Sequence, residues 1–269
     1  MSRIWDLLQK LEWQAGSPEL HRMPVDAVNI GPDSRIVVHT SPRSPSADRF
    51  RFLRMRLRDL WDAQKLRRLL ITSALPRDGK STVALNLATT LAEHGKRTVL
   101  LIEADLHHPT LTAELGLERG PGLAECLENG VDVLSVIRRI EPLGWYLLPA
   151  GTPQSNPTEL LQNDALSAII ERVGPYFDWV LIDAPPVKPL ADALSLSRQA
   201  HATLLVARAG RTPSQAVEEA LTLIGRKNVL GIILNGVEGI DAAYSKYYGS
   251  YARAAMSAGG ESAEGKHDR

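Results

Sequence analysis

Six short runs of branched and long-chain apolar residues punctuate this chain, and they constrain its fold more than any other feature. They are Leu69-Leu70-Ile71, Val99 to Ile102, Tyr146 to Leu148, Trp179 to Ile182, Leu204 to Val206 and Leu230 to Leu234. Runs without polar alternation predict strands buried on both faces, as in a parallel sheet. Between them, apolar spacing predicts helices near 81–94, 158–173, 189–198 and 213–225. Strand and helix alternate, so the expected fold class is α/β, a doubly wound, mostly parallel sheet of about six to eight strands with helices on both faces. Such sheets receive ligands at the carboxyl ends of their strands, and chemistry is to be sought there.

Outside that pattern the ends read differently. Residues 1–45 open with Ile4, Leu7, Leu8 and Leu11 at helical spacing and then meet Pro24, Pro32, Pro42 and Pro45, which predicts a partly disordered arm. Phe50, Leu53, Leu57, Leu60 and Trp61 mark an amphipathic helix over 47–66 whose other face is basic. The main domain is expected over 46–240, and 241–269 as a flexible tail without apolar periodicity. With 31 Lys+Arg against 31 Asp+Glu the chain is formally neutral, which argues against a nucleic acid or an anionic membrane covering its whole surface and leaves room for a local basic patch. A single cysteine, Cys126, excludes an internal disulfide and points to a reducing cytoplasm. No apolar run approaches the roughly 18 residues that a membrane-crossing helix needs.

Three motifs sit at strand ends. After the run at 69–71 comes Ala74-Leu75-Pro76-Arg77-Asp78-Gly79-Lys80-Ser81-Thr82, a phosphate-loop pattern with Ala in place of its first Gly. It opens a helical segment, so backbone N–H groups and the positive helix end face the phosphates. In that geometry Pro76 to Thr82 surround the nucleotide, Lys80 reaches the β- and γ-phosphate oxygens, Ser81 ligates Mg²⁺ and Thr82 lies near the α-phosphate. The run at 179–182 ends in Asp183, the form of a strand-terminal carboxylate that holds Mg²⁺; alone, such an Asp also serves as a helix cap or turn former. The run at 99–102 ends in Glu103-Ala104-Asp105. Two acids at i and i+2 of an extended chain point to one side, where they can share metal contact and base duty. His107-His108 follows, either a pair of solvent or phosphate contacts or part of a metal site.

Together the three motifs resemble the bacterial tyrosine kinases of capsule and exopolysaccharide biosynthesis. The likeness spans roughly residues 41–251 and includes Ser44 to Leu57, Pro149-Ala150-Gly151-Thr152-Pro153, Asn156 to Leu161, Asp192-Ala193, Arg208 to Thr212 and Gly231 to Asn235. The resemblance implies a P-loop NTPase fold, ATP and Mg²⁺ as cofactors, and transfer of the γ-phosphoryl group to tyrosine. It makes Lys80, Glu103, Asp105 and Asp183 the catalytic set, with Ser81, Asp105 and Asp183 on the metal. It also makes the C-terminal cluster Tyr244, Tyr247, Tyr248 and Tyr251 the phosphoacceptors, and Asp48, Arg51 and Arg54 the residues that assemble a ring-like homo-oligomer. For the basic helix itself, a solvated face or a contact with acidic lipid or a partner's tail are the other readings. Further implied partners are a membrane adaptor of the polysaccharide co-polymerase type, acting through its cytoplasmic tail, and a counteracting tyrosine phosphatase. The expected location is cytoplasmic, at the inner face of the cell membrane.

The chain departs from the family pattern twice: Glu103 stands where the second motif has Asp, and His107 where it usually has Arg. A nucleotide-binding regulator of the same machinery, weak or inactive as a kinase, is therefore the competing function. A partitioning-type ATPase is a third, but Leu75 occupies the place of that group's signature Lys.

Overall fold

The computed structural model of the chain describes residues 18–238 apart from 163, 189 and 190, so Tyr244, Tyr247, Tyr248 and Tyr251 lie outside the described residues. The chain divides after Asn235, and the unit ending there carries the sheet and all three motifs. Its eight strands are β1 (Val25–Ala27), β2 (Arg68–Ser73), β3 (Val99–Glu103), β4 (Arg138–Glu141), β5 (Trp145–Leu148), β6 (Trp179–Asp183), β7 (Ala202–Arg208) and β8 (Val229–Asn235). They lie in the order β1-β4-β5-β3-β6-β2-β7-β8, and every neighbouring pair is parallel except β4 with β5. Among the described residues the four helices of ten or more residues are α1 (Pro45–Gln64), α2 (Lys80–Leu91), α3 (Asp164–Val173) and α4 (Ser214–Ile224).

The continuous apolar runs have a simple cause. Successive side chains of a strand point to opposite faces, and in β2, β3, β5, β6 and β7 both faces are covered, whereas β8 at the sheet edge leaves Ile232 and Leu234 exposed. Leu100 and Ile102 of β3 join Leu70, Val180, Ile182 and Leu148 in one core, which α3 closes with Leu166, Ile170 and Val173. Leu101 and Val99 join Leu69, Ile71, Leu181 and Leu147 in the other, which α2 closes with Val83, Leu87 and Leu91 and α1 with Leu57. Helix α1 begins cleanly because Ser44 accepts a hydrogen bond from Ala47 N and Pro45 fills its first turn.

From Pro18 onward the stretch expected as an arm is built into the domain. Leu20 and Met23 enter one core and Val28 and Ile36 the other, and β1 pairs with β4 at the sheet edge. Among the described residues no helix is long and apolar enough to cross a membrane.

Candidate nucleotide and metal site

The sheet order sets β6 between β3 and β2, so the three motif-bearing strand ends are adjacent; Glu103 pairs with Asp183, and Asp183 with Ile71. The loop that leaves β2 is shaped by distant residues. Thr72 Oγ1 donates to Pro185 O (2.6 Å) and Val187 N to Ser73 O (2.9 Å), tying the chain after β6 to the end of β2. Asp78 is buried and turned inward, where Oδ2 accepts from Leu75 N (3.1 Å) and Oδ1 from Thr212 Oγ1 (2.7 Å). Its carbonyl accepts from Asn235 Nδ2 at 3.0 Å. Gly79 is required twice over: its φ is +95°, and a Cβ there would stand 2.0 Å from Asn235 Nδ2. Pro76 and Arg77 are exposed on the outside of the turn.

Helix α2 starts at Lys80 and presents Lys80 and Ser81 to the acids. Lys80 Nζ lies 2.8 Å from Asp105 Oδ2 and 3.8 Å from Asp183 Oδ1. It also donates to Ser81 Oγ at 3.3 Å. Ser81 Oγ donates to Asp183 Oδ2 (2.7 Å) and accepts from Thr110 Oγ1 (3.2 Å). Burial alone would lower the Lys80 pKa, but the carboxylates of Asp183 and Asp105 outweigh it and hold the ammonium above its ordinary value. Asp183 shows the opposite balance: burial pushes its carboxyl up to about 6, against the pull of Lys80 and the Ser81 hydrogen bond. Its Oδ1 is buried and makes no hydrogen bond. A desolvated carboxylate with an unsatisfied oxygen, beside a second carboxylate and a hydroxyl, is a donor set that suits a small hard cation. Ser81, Asp105 and Asp183 thus fit Mg²⁺, and Lys80 and the loop amides fit the phosphates. Thr82 follows in the first turn of α2, its carbonyl accepting from Asn86 Nδ2.

Glu103 acts on this cluster through its charge, which helps raise the pKa of both Lys80 and Asp183, while its hydrogen bonds go elsewhere. Its carboxylate accepts from Leu111 N (2.5 Å), Thr112 Oγ1 (2.8 Å) and Ala150 N (3.2 Å). Glu103 therefore fastens the start of the short helix Leu111–Glu114 and the chain just past β5. Asp105 stands beyond the last residue of β3; its Oδ1 accepts from His108 N at 3.1 Å, which leaves Oδ2 toward Lys80. His107 is turned away from the phosphate loop: its Nε2 lies 2.7 Å from Oδ2 of the buried Asp192. Asp48 and Arg51 pair with each other along exposed α1 at 2.5 Å, and Arg51 also donates to Pro42 O. Arg54 donates to Thr90 O of α2 at 3.4 Å. These three residues form no part of the cluster around Lys80. Thr110, Thr212 and Asn235 are site residues that sequence reasoning missed as individuals, although Thr212 and Asn235 end two of the family-like segments.

A family profile described as an AAA domain matches residues 78–224. Tyrosine-protein kinase YwqD of Bacillus subtilis is 30% identical over 217 residues, covering 80% of this chain and 91% of the relative. The chain belongs to the bacterial tyrosine-protein kinase family. It also matches part of a larger protein: the succinoglycan biosynthesis transport protein ExoP of Rhizobium meliloti is 37% identical over 237 residues, covering 80% of this chain and 30% of ExoP. Among solved structures, the kinase domain of Escherichia coli tyrosine kinase ETK superposes with a TM-score of 0.73 at 28% identity, covering 84% of this chain and 87% of that one. The eight-stranded sheet and the motif-bearing strand ends of this family member thus have the architecture of a bacterial tyrosine-kinase domain.

Proposed function

We propose that this bacterial tyrosine kinase transfers the γ-phosphoryl group of ATP to tyrosine hydroxyls, Tyr244, Tyr247, Tyr248 and Tyr251 among them, and so regulates polymerisation and export of a capsular or exopolysaccharide. The observation that carries this reading is the convergence of Lys80, Ser81, Asp105 and Asp183 at the ends of β2, β3 and β6. Phosphoryl transfer asks mainly for positioning and for charge aimed at the equatorial oxygens. Lys80, kept protonated by its two carboxylates, supplies a fixed cation for the β- and γ-phosphate oxygens. Mg²⁺, when bound through Ser81, Asp105 and Asp183, neutralises charge on the same oxygens. Asp105 is also the carboxylate placed to accept or orient the tyrosine proton, since Glu103 is engaged elsewhere. The backbone of Pro76 to Gly79, braced by Thr212 and Asn235, supplies the phosphate cradle.

The partners of this reading are a membrane adaptor of the co-polymerase type docking through its cytoplasmic tail, further copies in a ring formed through Asp48, Arg51 and Arg54, and a phosphatase. The adaptor brings the kinase to the inner face of the membrane. For ring assembly Arg51 and Arg54 exchange their present partners, Asp48 and Thr90 O, for a neighbour's groups.

The test is incubation of the purified chain with Mg²⁺-ATP, with and without the adaptor's cytoplasmic tail, followed by phosphotyrosine mapping. Label on the Tyr244–Tyr251 cluster that Lys80→Met abolishes is expected; no label in either condition overturns the autokinase reading. A second reading, a nucleotide-gated regulator without transfer, is favoured by one observation: the second motif offers one carboxylate to the cluster instead of two. It expects ATP binding without label.

A further inference from the structure

The opposite end of the same strands carries a different chemistry. β3, β6, β2, β7 and β8 are consecutive and parallel, so their amino ends form one edge of the sheet, roughly 19 Å across at the usual strand spacing. The connection into β2 brings Lys65, Arg67 and Arg68 to that edge, and the connection into β3 brings Lys96 and Arg97. The connection into β8 brings Arg226 and Lys227. Of the acids here, Asp178 is buried on Thr98 and Arg97, Glu93 pairs with Arg58 and Glu218 pairs with Arg226, while the exposed Asp62 lines the same hollow as Trp61 and Arg97. Among the described residues Lys65, Lys96 and Lys227 make no ion pair, and all three are exposed. The guanidinium groups of Arg67 and Arg97 lie 5.3 and 5.5 Å from the Trp61 ring centroid, and the Trp61 indole donates to Asp178 O. A formally neutral chain thus gathers positive charge at one end of its sheet.

We propose that this basic edge docks directly on an anionic phospholipid surface, a contact additional to the adaptor and independent of kinase activity. The charges stand in a row along strand ends, a layout that matches an extended layer of phosphate headgroups. A peptide would need a groove, and the hollow beside Trp61 encloses only about 10 Å³, far below ordinary ligand pockets. Docked this way, the six residues of β2 hold the Lys80 cluster about 20 Å from the headgroups, on the side facing away from them.

The experiment is co-sedimentation of the full chain with phosphatidylcholine vesicles, with vesicles containing phosphatidylglycerol, and with poly-glutamate as a soluble acidic probe. The test variant carries Lys65→Gln, Lys96→Gln and Lys227→Gln together, and retained ATP binding reports its fold. Binding to the anionic vesicles is expected, weakening as salt rises. Each headgroup-facing charge contributes roughly fivefold in partitioning, so the triple variant should bind on the order of a hundredfold more weakly. The proposal is overturned if the wild-type chain ignores anionic vesicles at low salt, if it binds both lipids equally, if the triple variant binds as well as wild type, or if poly-glutamate binds where vesicles do not.

Discussion

Replacing Asp183 by Asn should make this protein more stable while removing its ability to hold a cation. The reasoning starts from the buried carboxyl, whose pKa rises from the ordinary 3.8 to about 6. A carboxyl with a raised folded-state pKa binds its proton more tightly when folded than when unfolded. Its favourable contribution is therefore complete below about pH 3.8 and is lost as pH climbs through about 6. At about 1.4 kcal/mol per pH unit the full loss is roughly 3 kcal/mol, reached by about pH 7.5. That figure already includes the attraction of Lys80, which is why the site is a net cost to the fold despite its ion pair. Asn mimics the neutral carboxyl, still accepts from Ser81 through Oδ1, and leaves Lys80 its 2.8 Å contact with Asp105. Urea unfolding with chelator and without nucleotide, from pH 5 to pH 8, should show Asp183→Asn ahead of wild type by a margin that widens as pH rises. About half of it should develop between pH 5 and 7.5. Equal stability at pH 7.5, or a margin that does not change with pH, would refute the assignment of the cost to a desolvated charge. Adding Mg²⁺ and nucleotide should then stabilise wild type and leave the variant unmoved.

Other substitutions separate shaping from chemistry. Glu103→Asp withdraws a carboxylate that accepts three buried hydrogen bonds, so it should cost roughly 2–4 kcal/mol in urea unfolding and should not speed tyrosine labelling. A faster rate at unchanged stability would return Glu103 to the reacting centre. Gly79→Ala meets both a φ of +95° and the Asn235 amide, and should abolish nucleotide binding in a fluorescent-nucleotide titration. Asn235→Ala on top of it removes the clash but not the φ, so it should restore binding only in part. Thr212→Val leaves one oxygen of buried Asp78 without its donor, which should lower stability by about 1–3 kcal/mol and weaken nucleotide binding together.

The sheet was readable wherever both faces of a strand are buried, because burial on two sides erases polar alternation and leaves a continuous run. It was unreadable at the β1–β4 edge, whereas β8 at the other edge keeps an apolar run although Ile232 and Leu234 are exposed. β1 is three residues with only Asp26 partly buried, and β4, Arg138-Arg139-Ile140-Glu141, buries Ile140 alone. A single apolar residue among charges carries no period, so neither strand could be inferred, and without β1 there was no reason to pull residues 18–45 out of an arm and into the core. Leu20, Met23, Val28 and Ile36 are spaced too irregularly to announce the packing they make.

At the site, legibility followed sequence distance. Gly79, Lys80 and Ser81 act through a contiguous turn and helix start, so their spacing alone reveals the geometry. Thr212 and Asn235 brace the same turn from 134 and 157 residues away, and nothing local distinguishes them from ordinary surface polar residues. The parting of Glu103 and Asp105 was hidden for a sharper reason. The rule that i and i+2 share a side holds only while the chain stays extended, and β3 makes its last paired contact, with Asp183, at Glu103 itself. After one further bond, Ala104 N to Asp183 O at 2.9 Å, the chain leaves β6 and carries Asp105 across to Lys80, while Glu103 reaches the amide of Leu111 instead. Glu103 thus fixes the loop bearing Asp105, and Asp105 and Asp183 are the carboxylates that face Lys80 directly.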